Sequence, residues 1–185
     1  MKKIILLLLL FPTIVFAQHL KFMGIPINGD LTSFGKQLQS KGFKIEKTEN
    51  GHMTLSGKFA GEKVELLVRS SMKTKSVCGV VVLFDQKTSW PALKSQYERL
   101  KENYSSKYKI LKEYHFFKDP YYEGDGYEMS AVRIGKCMYC AFYKLEYGRI
   151  LLTIYESGCV MAAYEDKQNT EKANSEQSSR ILEDI

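Results

Sequence analysis

Hydrophobic residues recur at helical spacing in two stretches of this chain. The first predicted helix follows Asp30 or Thr32, either of which can cap it, and it stops at Gly42. The second predicted helix follows Thr88 or Ser89. Each helix has an apolar stripe that would pack on a sheet, formed by Leu31, Phe34 and Leu38 in the first and by Trp90, Leu93, Tyr97, Leu100 and Tyr104 in the second.

After each helix the apolar residues alternate with polar ones, as in β-strands. Val64, Leu66 and Val68 are typical of a strand with one buried face. Short turns rich in Gly, Asn and Ser separate the strands, which predicts antiparallel pairing. The predicted strands are 43–46, 52–59, 63–69 and 77–85 in the first half, and 109–117, 127–134, 138–146, 150–156 and 159–165 in the second.

This order of elements predicts an α+β protein, with two helices packed on one face of antiparallel sheet and the other face partly open. Two correspondences indicate a tandem repeat of one helix and four strands. Residues 42–45, Gly-Phe-Lys-Ile, resemble residues 107–110, Lys-Tyr-Lys-Ile, and Cys78 and Cys159 each stand seven residues before an Asp. The predicted units are 18–86 and 87–166.

The layout resembles the tandem helix-plus-four-strand arrangement of β-lactamase-inhibitor-protein-like domains. Residues 22–29, Phe-Met-Gly-Ile-Pro-Ile-Asn-Gly, are also similar to stretches of small uncharacterised secreted proteins of Gram-negative bacteria. The resemblance covers most of the chain after residue 17 as an order of elements, and it carries no residue-level motif. It implies a binding or inhibitory module rather than an enzyme, and it transfers no site residue.

The two ends of the chain differ in composition from its body. Residues 1–17 have a positive head, an apolar run over 4–16 and the small-x-small pattern Val15-Phe16-Ala17, so they are predicted to be a signal peptide that is cut before Gln18. The apolar run rises only about 20 Å as a helix, too little to span a bilayer. We expect an exported protein, periplasmic or secreted, with no transmembrane segment after cleavage. Residues 167–185 are polar and are expected to be a flexible tail or frayed helix.

The charge of the chain limits its partners. Its formal net charge is +6 at pH 7, and acidic residues outnumber basic ones over 165–185, so the positive charge lies in the body. The lysines are scattered, which is typical of a solvated surface; an acidic protein or anionic glycan is the functional alternative. Nucleic acid is not an expected partner, because the chain has no dense arginine patch and carries an export signal.

Four cysteines are candidates for disulfide bonds, namely Cys78, Cys137, Cys140 and Cys159. An even number in an exported chain favours one or two disulfides, and buried free thiols are the alternative. Cys137 and Cys140 would be about 10 Å apart within one strand, too far to bridge, so we expect Cys159 to pair with one of them. Zinc is not expected, because no turn residues lie between this Cys pair, and redox catalysis is not expected, because the first Cys is predicted in a strand and not at a helix N-terminus.

Residues 114–127 have the most unusual local composition. Asp119-Pro120 and Gly124-Asp125-Gly126 predict a loop that carries adjacent tyrosines. Rings on a loop suit a protein hot spot or stacking on a sugar, and the alternative is that they fold back over the sheet edge. The acids of this stretch lack EF-hand spacing, so no metal site is predicted. The candidate binding residues are His115, Tyr121, Tyr122 and Tyr127.

No nucleophile elbow, zinc-protease motif or phosphate-binding loop is present in the sequence. The leading hypothesis is therefore an exported binding or inhibitory module, without a cofactor, that recognises a protein or glycan outside the cytosol. One alternative is a small envelope or secreted hydrolase acting on a polymer such as glycan, which requires convergent acids or an activated histidine in a cleft. Another is a structural or assembly component, which requires a large apolar patch.

Overall fold

The computed structural model describes residues 18–183 as four helices and ten strands. The predicted signal peptide, residues 1–17, lies outside the described residues. The helices are α1 (Leu31–Gln39), α2 (Trp90–Ser105), α3 (Glu128–Arg133) and α4 (Lys167–Glu183). The strands are β1 (Lys21–Phe22), β2 (Ile25–Pro26), β3 (Lys44–Glu49), β4 (His52–Phe59), β5 (Glu62–Ser70), β6 (Val77–Phe84), β7 (Ile110–Phe117), β8 (Cys137–Leu145), β9 (Gly148–Tyr155) and β10 (Cys159–Asp166). Over this part of the chain, no helix has both the length and the apolarity needed to cross a bilayer.

Eight strands form one antiparallel sheet in the order β3-β4-β5-β6-β10-β9-β8-β7, and β1 pairs with β2 in a small hairpin. Each half of the chain is a helix followed by a four-stranded meander: α1 with β3 to β6, and α2 with β7 to β10. The two meanders join at their last strands, where Val82 of β6 lies opposite Ala162 of β10. The predicted α+β class and the antiparallel sheet are confirmed.

Helices α1 and α2 pack on the same face of this sheet, which we call the helix face. Helix α1 approaches β4 so closely that a Cβ on Gly35 would lie 2.6 Å from Met53 Sδ. Helix α2 is joined to β10 by a hydrogen bond of 2.6 Å between the hydroxyls of Tyr104 and Tyr164. Between these two contacts, a row of residues paired across four neighbouring strands lies under the helices: Met53, Val68, Val80 and Tyr164, all of them buried. The main core therefore lies between this face and the two helices.

The stretch 127–134, predicted as a strand, forms helix α3 instead. Ala131 and Val132 are its buried residues, and two adjacent buried positions do not follow the alternation of a strand. Glu128 in the first turn and Arg133 in the last turn both complement the helix dipole. Gly135, at φ 69°, then takes the left-handed conformation that ends the helix.

The polar segment expected to be a flexible tail or a frayed helix forms helix α4 through residue 183. Asp166 Oδ1 accepts a hydrogen bond from Asn169 N at 2.9 Å and so caps the first turn. The Asn169 side chain is only 3% exposed, and its amide donates to Ile27 O at 3.1 Å and to Val77 O at 3.0 Å. Because hydrogen bonds rather than an apolar stripe hold α4, hydrophobic periodicity gave no signal for it.

Candidate functional site

The aromatic loop, residues 118–127, connects β7 to α3 and carries the most exposed rings of the described chain. Tyr122 is 66% exposed and Tyr127 is 65% exposed. Ile134, which follows α3, is also exposed, whereas Tyr121 is half-buried. The structure therefore exposes three of the four predicted binding residues, because His115 is also exposed, and it partly covers only Tyr121.

Glu123 fastens the middle of the aromatic loop to the body of the protein. Its Oε1 accepts hydrogen bonds from Trp90 Nε1 at 3.3 Å and from Lys94 Nζ, and its Oε2 accepts one from Tyr139 OH at 2.9 Å. The hydrogen bond from Lys94 lowers the pKa of the Glu123 carboxyl from its ordinary value of 4.5, so this anchor is ionised at neutral pH. Burial raises the pKa of Tyr139, which keeps its hydroxyl protonated as a donor.

Two more carboxylates order the backbone of the aromatic loop. Asp125 accepts from Tyr122 N at 3.1 Å and from Tyr127 N at 2.7 Å, and Glu128 Oε1 accepts from Gly124 N at 2.8 Å. These acids are thus occupied by the loop's own N–H groups. Within residues 18–183, no three His, Cys, Asp or Glu residues are grouped so that they could hold a metal ion.

This arrangement suits binding, because the backbone is fixed while the rings are left in solvent. Tyr122 and Tyr127 flank the Asp125 carboxylate that accepts from both of their N–H groups. A tyrosine on an ordered backbone has few rotatable bonds left to restrict, so it loses little conformational entropy when a partner covers it. Each ring also combines a broad apolar surface with a hydroxyl that can donate or accept a hydrogen bond.

His115, the remaining candidate, lies apart from the exposed tyrosines. It is on the helix face of β7, opposite Tyr139 of β8, and its ring packs edge-on against Tyr97 of α2 at 5.9 Å between centroids. Its Nε2 is 3.3 Å from Tyr97 OH and 3.5 Å from Lys101 Nζ. Its ring packs against α2 although the residue is exposed on the edge strand β7, and the structure does not bring it to the surface of the aromatic loop.

The sheet face opposite the helix face, which we call the open face, carries a band of partly exposed apolar side chains. On β7 and β8, Tyr114 packs edge-on against Phe116 at 6.2 Å and against Phe142 at 6.5 Å between ring centroids. Phe116 is exposed, and so is Tyr155 at the end of β9. The band continues over the central strands through half-buried Leu151, Met161, Val81, Leu83 and Leu67.

The four cysteines are free thiols. Cys140 lies opposite Thr153 of β9, and Thr153 lies opposite Met161 of β10, so Cys140 and Cys159 are on strands that are two apart. That separation is about 10 Å, beyond the reach of a disulfide. Cys137 is also on β8, so the expected bridge from Cys159 is not formed to either partner. Burial raises the pKa of Cys159 and of the other three thiols, which lowers their reactivity.

A histidine–carboxylate pair borders a cavity of about 1170 Å³ beside the β1–β2 hairpin. His19 Nδ1 is 3.2 Å from Asp166 Oδ1, and both side chains are almost fully buried. The same carboxylate accepts from Leu20 N at 2.8 Å, so the pair ties the first described residues to the end of β10. Among the described residues that line this cavity, none is a Ser, Thr or Cys.

The sequence did not reveal the role of Glu123 as an anchor. Its three partners are 33, 29 and 16 residues away along the chain, on α2 and β8. No local spacing rule connects positions so far apart. The composition of residues 114–127 located the loop, but only the tertiary structure shows which of its side chains point inward.

Comparison with known proteins yields no family model, no curated protein and no solved structure that matches this chain. The functional argument therefore depends on the geometry of the aromatic loop and of the open face. Of these two surfaces, the loop is the more specific, because three separate carboxylates determine its conformation.

Proposed function

We propose that this protein is an exported binding or inhibitory module whose partner is a protein or a glycan outside the cytosol. The partner docks on the aromatic loop and the adjoining part of the open face. One observation carries the proposal: Tyr122 and Tyr127 are about two-thirds exposed, although the backbone N–H group of each donates a hydrogen bond to the Asp125 carboxylate. Their hydrophobic surface contributes little to the protein's own stability and is available for a complex.

The fold supports the same proposal in two ways. Its tandem units of one helix and four strands have the element order of β-lactamase-inhibitor-protein-like domains, to which the sequence bears a resemblance. Phe116, beside Tyr114 near the end of β7 that leads into the loop, extends the apolar surface from the tyrosines onto the open face. An extended surface of this kind suits a macromolecular partner better than a small substrate.

The test compares capture by the wild-type protein and by the double variant Tyr122→Ala/Tyr127→Ala. Protein 18–185 is immobilised and exposed to native envelope extract and, separately, to an array of glycans, and bound species are quantified by mass spectrometry or fluorescence. We expect the double variant to bind its specific partner at least tenfold less, since central aromatic hot spots each contribute about 2 kcal/mol or more. Its melting temperature should remain within about 2 °C of wild type, because exposed side chains contribute little to stability.

Leu111→Ala is the matched control. Leu111 is exposed to the same extent as Tyr122, but it lies at the opposite end of β7 from the loop. This variant should bind like wild type. The proposal is wrong if the double variant retains wild-type capture, or if Leu111→Ala loses as much of the partner as the double variant does.

A further inference from the structure

A second cleft lies between α4 and the open face, at the opposite end of β8 from the aromatic loop. Its volume is about 790 Å³, which falls in the range of small-molecule sites. Six of its lining side chains are basic or acidic: His52, Arg69, Lys73, Arg149, Glu165 and Glu176. The basic members outnumber the acidic ones.

The register of the sheet aligns the charged side chains on the floor of this cleft. Arg69 of β5 lies opposite Gly79 of β6, Gly79 lies opposite Glu165 of β10, and Glu165 lies opposite Arg149 of β9. Glu165 Oε1 accepts from Arg69 Nη2 at 3.3 Å, and its Oε2 accepts from Arg149 Nε at 2.5 Å. A single carboxylate therefore serves two guanidinium groups, and the triad retains one positive charge.

Gly79 provides the space that allows this alignment. A Cβ at this position would lie 3.1 Å from Arg69 Nη2 and 3.0 Å from Tyr164 O, too close for either to stay in place. The absence of a side chain lets Arg69 extend across β6 to reach Glu165. The strand thus has a glycine at the one position where an arginine from its neighbour crosses it.

Arg69 and Arg149 have N–H groups that are available to a ligand. Each guanidinium has five N–H groups, and among the described residues each makes one hydrogen bond, to Glu165. Arg69 Nε is buried and donates to no acceptor in this part of the chain. The other acid of the cleft, Glu176, binds backbone N–H groups, since it accepts from Lys73 N at 2.8 Å and from Thr74 N at 3.2 Å.

We propose that this cleft binds a small molecule that carries a carboxylate, phosphate or sulfate group, with Arg69 and Arg149 holding the oxyanion. Such a group neutralises the excess charge of the triad and matches the planar forks of the guanidinium groups. Met72 and Ala173 on the walls of the cleft contact the apolar part of the ligand. This site is separate from the aromatic loop and does not depend on the function proposed for the loop.

Isothermal titration calorimetry tests this site, with inorganic phosphate and citrate as two separate probes. Protein 18–185 is titrated at constant ionic strength, which sodium chloride maintains. We expect saturable 1:1 binding of at least one probe in the millimolar range or tighter. Arg149→Gln should weaken that binding at least tenfold, and because Arg149 is 69% exposed the variant should fold normally, as circular dichroism can verify.

Lys144→Gln provides the matched control. Lys144 lies opposite Arg149 on β8 and the substitution removes the same charge, but this residue does not line the cleft. It should bind each probe within twofold of wild type. The proposal is overturned if neither probe binds saturably, or if Lys144→Gln and Arg149→Gln weaken binding to the same extent, which would indicate a general charge effect.

Discussion

At the scale of single residues, Glu123 decides the conformation of the aromatic loop. Replacing Glu123 with Gln keeps the shape of the side chain but removes the negative charge that pairs with Lys94. We expect Glu123→Gln to lower the free energy of unfolding by about 0.5–1 kcal/mol at pH 7, since the ion pair is partly exposed. The measurement is chemical denaturation of both proteins from pH 7 down to pH 3.

The pH dependence of this difference has a definite sign. Lys94 lowers the pKa of Glu123 in the folded state, so the stabilisation is present above the ordinary value of 4.5 and is lost as the pH falls through the folded-state pKa. Wild type and Glu123→Gln should therefore converge at low pH. Glu102→Gln is the control, because Glu102 is exposed and makes no ion pair among the described residues. A gap that stays constant down to pH 3 would contradict the anchor.

The exposure of individual side chains was the part of the candidate site least accessible from sequence. The composition of residues 114–127 correctly placed tyrosines on a loop between elements. It could not distinguish exposed Tyr122 from half-buried Tyr121, because that difference depends on Glu123 reaching α2 and β8. His115 was grouped with the loop by proximity in sequence, yet strand alternation places it on the helix face beside Tyr139.

At the scale of elements, helix α4 depends on Asn169. The side chain of Asn169 joins α4 to the β1–β2 hairpin and to β6 through two backbone carbonyls. Asn169→Ala leaves these buried acceptors unpaired, and we expect a loss of about 2–3 kcal/mol in unfolding free energy. Hydrogen exchange of the α4 amides should become faster in the same variant, because the helix loses its main attachment.

Asn174→Ala serves as the control on the same helix. Asn174 is exposed, and among the described residues its side chain makes no hydrogen bond, while its backbone carbonyl accepts one from Ser178 Oγ. The substitution should change stability by less than about 0.5 kcal/mol. If Asn169→Ala proved as neutral as Asn174→Ala, α4 would not be an integral part of the fold.

Gly148 begins β9 directly after the two-residue turn 146–147, and its close packing could not be anticipated from the sequence. A Cβ on Gly148 would collide with Glu165 O of the neighbouring strand and lie 3.1 Å from Leu20 Cδ2. We expect Gly148→Ala to destabilise the protein by about 2–3 kcal/mol, because a backbone oxygen in a sheet cannot move aside. Thermal or chemical denaturation measures the effect.

Gly24→Ala separates steric collision from backbone strain. Gly24 has φ +83° and no neighbouring atom within 4 Å of an added Cβ, so only the left-handed conformation penalises alanine there. Its expected cost is about 1 kcal/mol. Equal losses for the two variants would contradict the close approach between β9 and β10 at Gly148.

At the scale of the whole molecule, the pairing of β6 with β10 makes the two halves one sheet. Val82 of β6 is fully buried at this junction, opposite Ala162. We expect a single unfolding transition in guanidinium, with the same midpoint by Trp90 fluorescence and by far-ultraviolet circular dichroism. Val82→Ala should shift both signals equally, by about 1–2 kcal/mol. Two separate midpoints, or a shift in one signal only, would show that the halves unfold independently.

The sequence predicted the α+β class, the antiparallel sheet and the succession of a helix and a series of strands in each half. Those features follow from local periodicity and short turns. It could not predict that β6 joins β10, because that contact links residues about 80 positions apart along the chain. It also missed α3, and it left residues 167–185 open between a flexible tail and a frayed helix, because polar contacts rather than an apolar stripe attach α4 to the body.

The central claim is that a partner docks on the aromatic loop and the adjoining open face. The most direct measurement is nuclear magnetic resonance mapping of backbone amide shifts when protein 18–185 is titrated with the partner recovered in the capture experiment. The account predicts the largest shifts in the aromatic loop and in Ile134 and Phe116, whose side chains are exposed beside it. Shifts confined to α1 and the β3–β4 edge, with the loop unchanged, would contradict it.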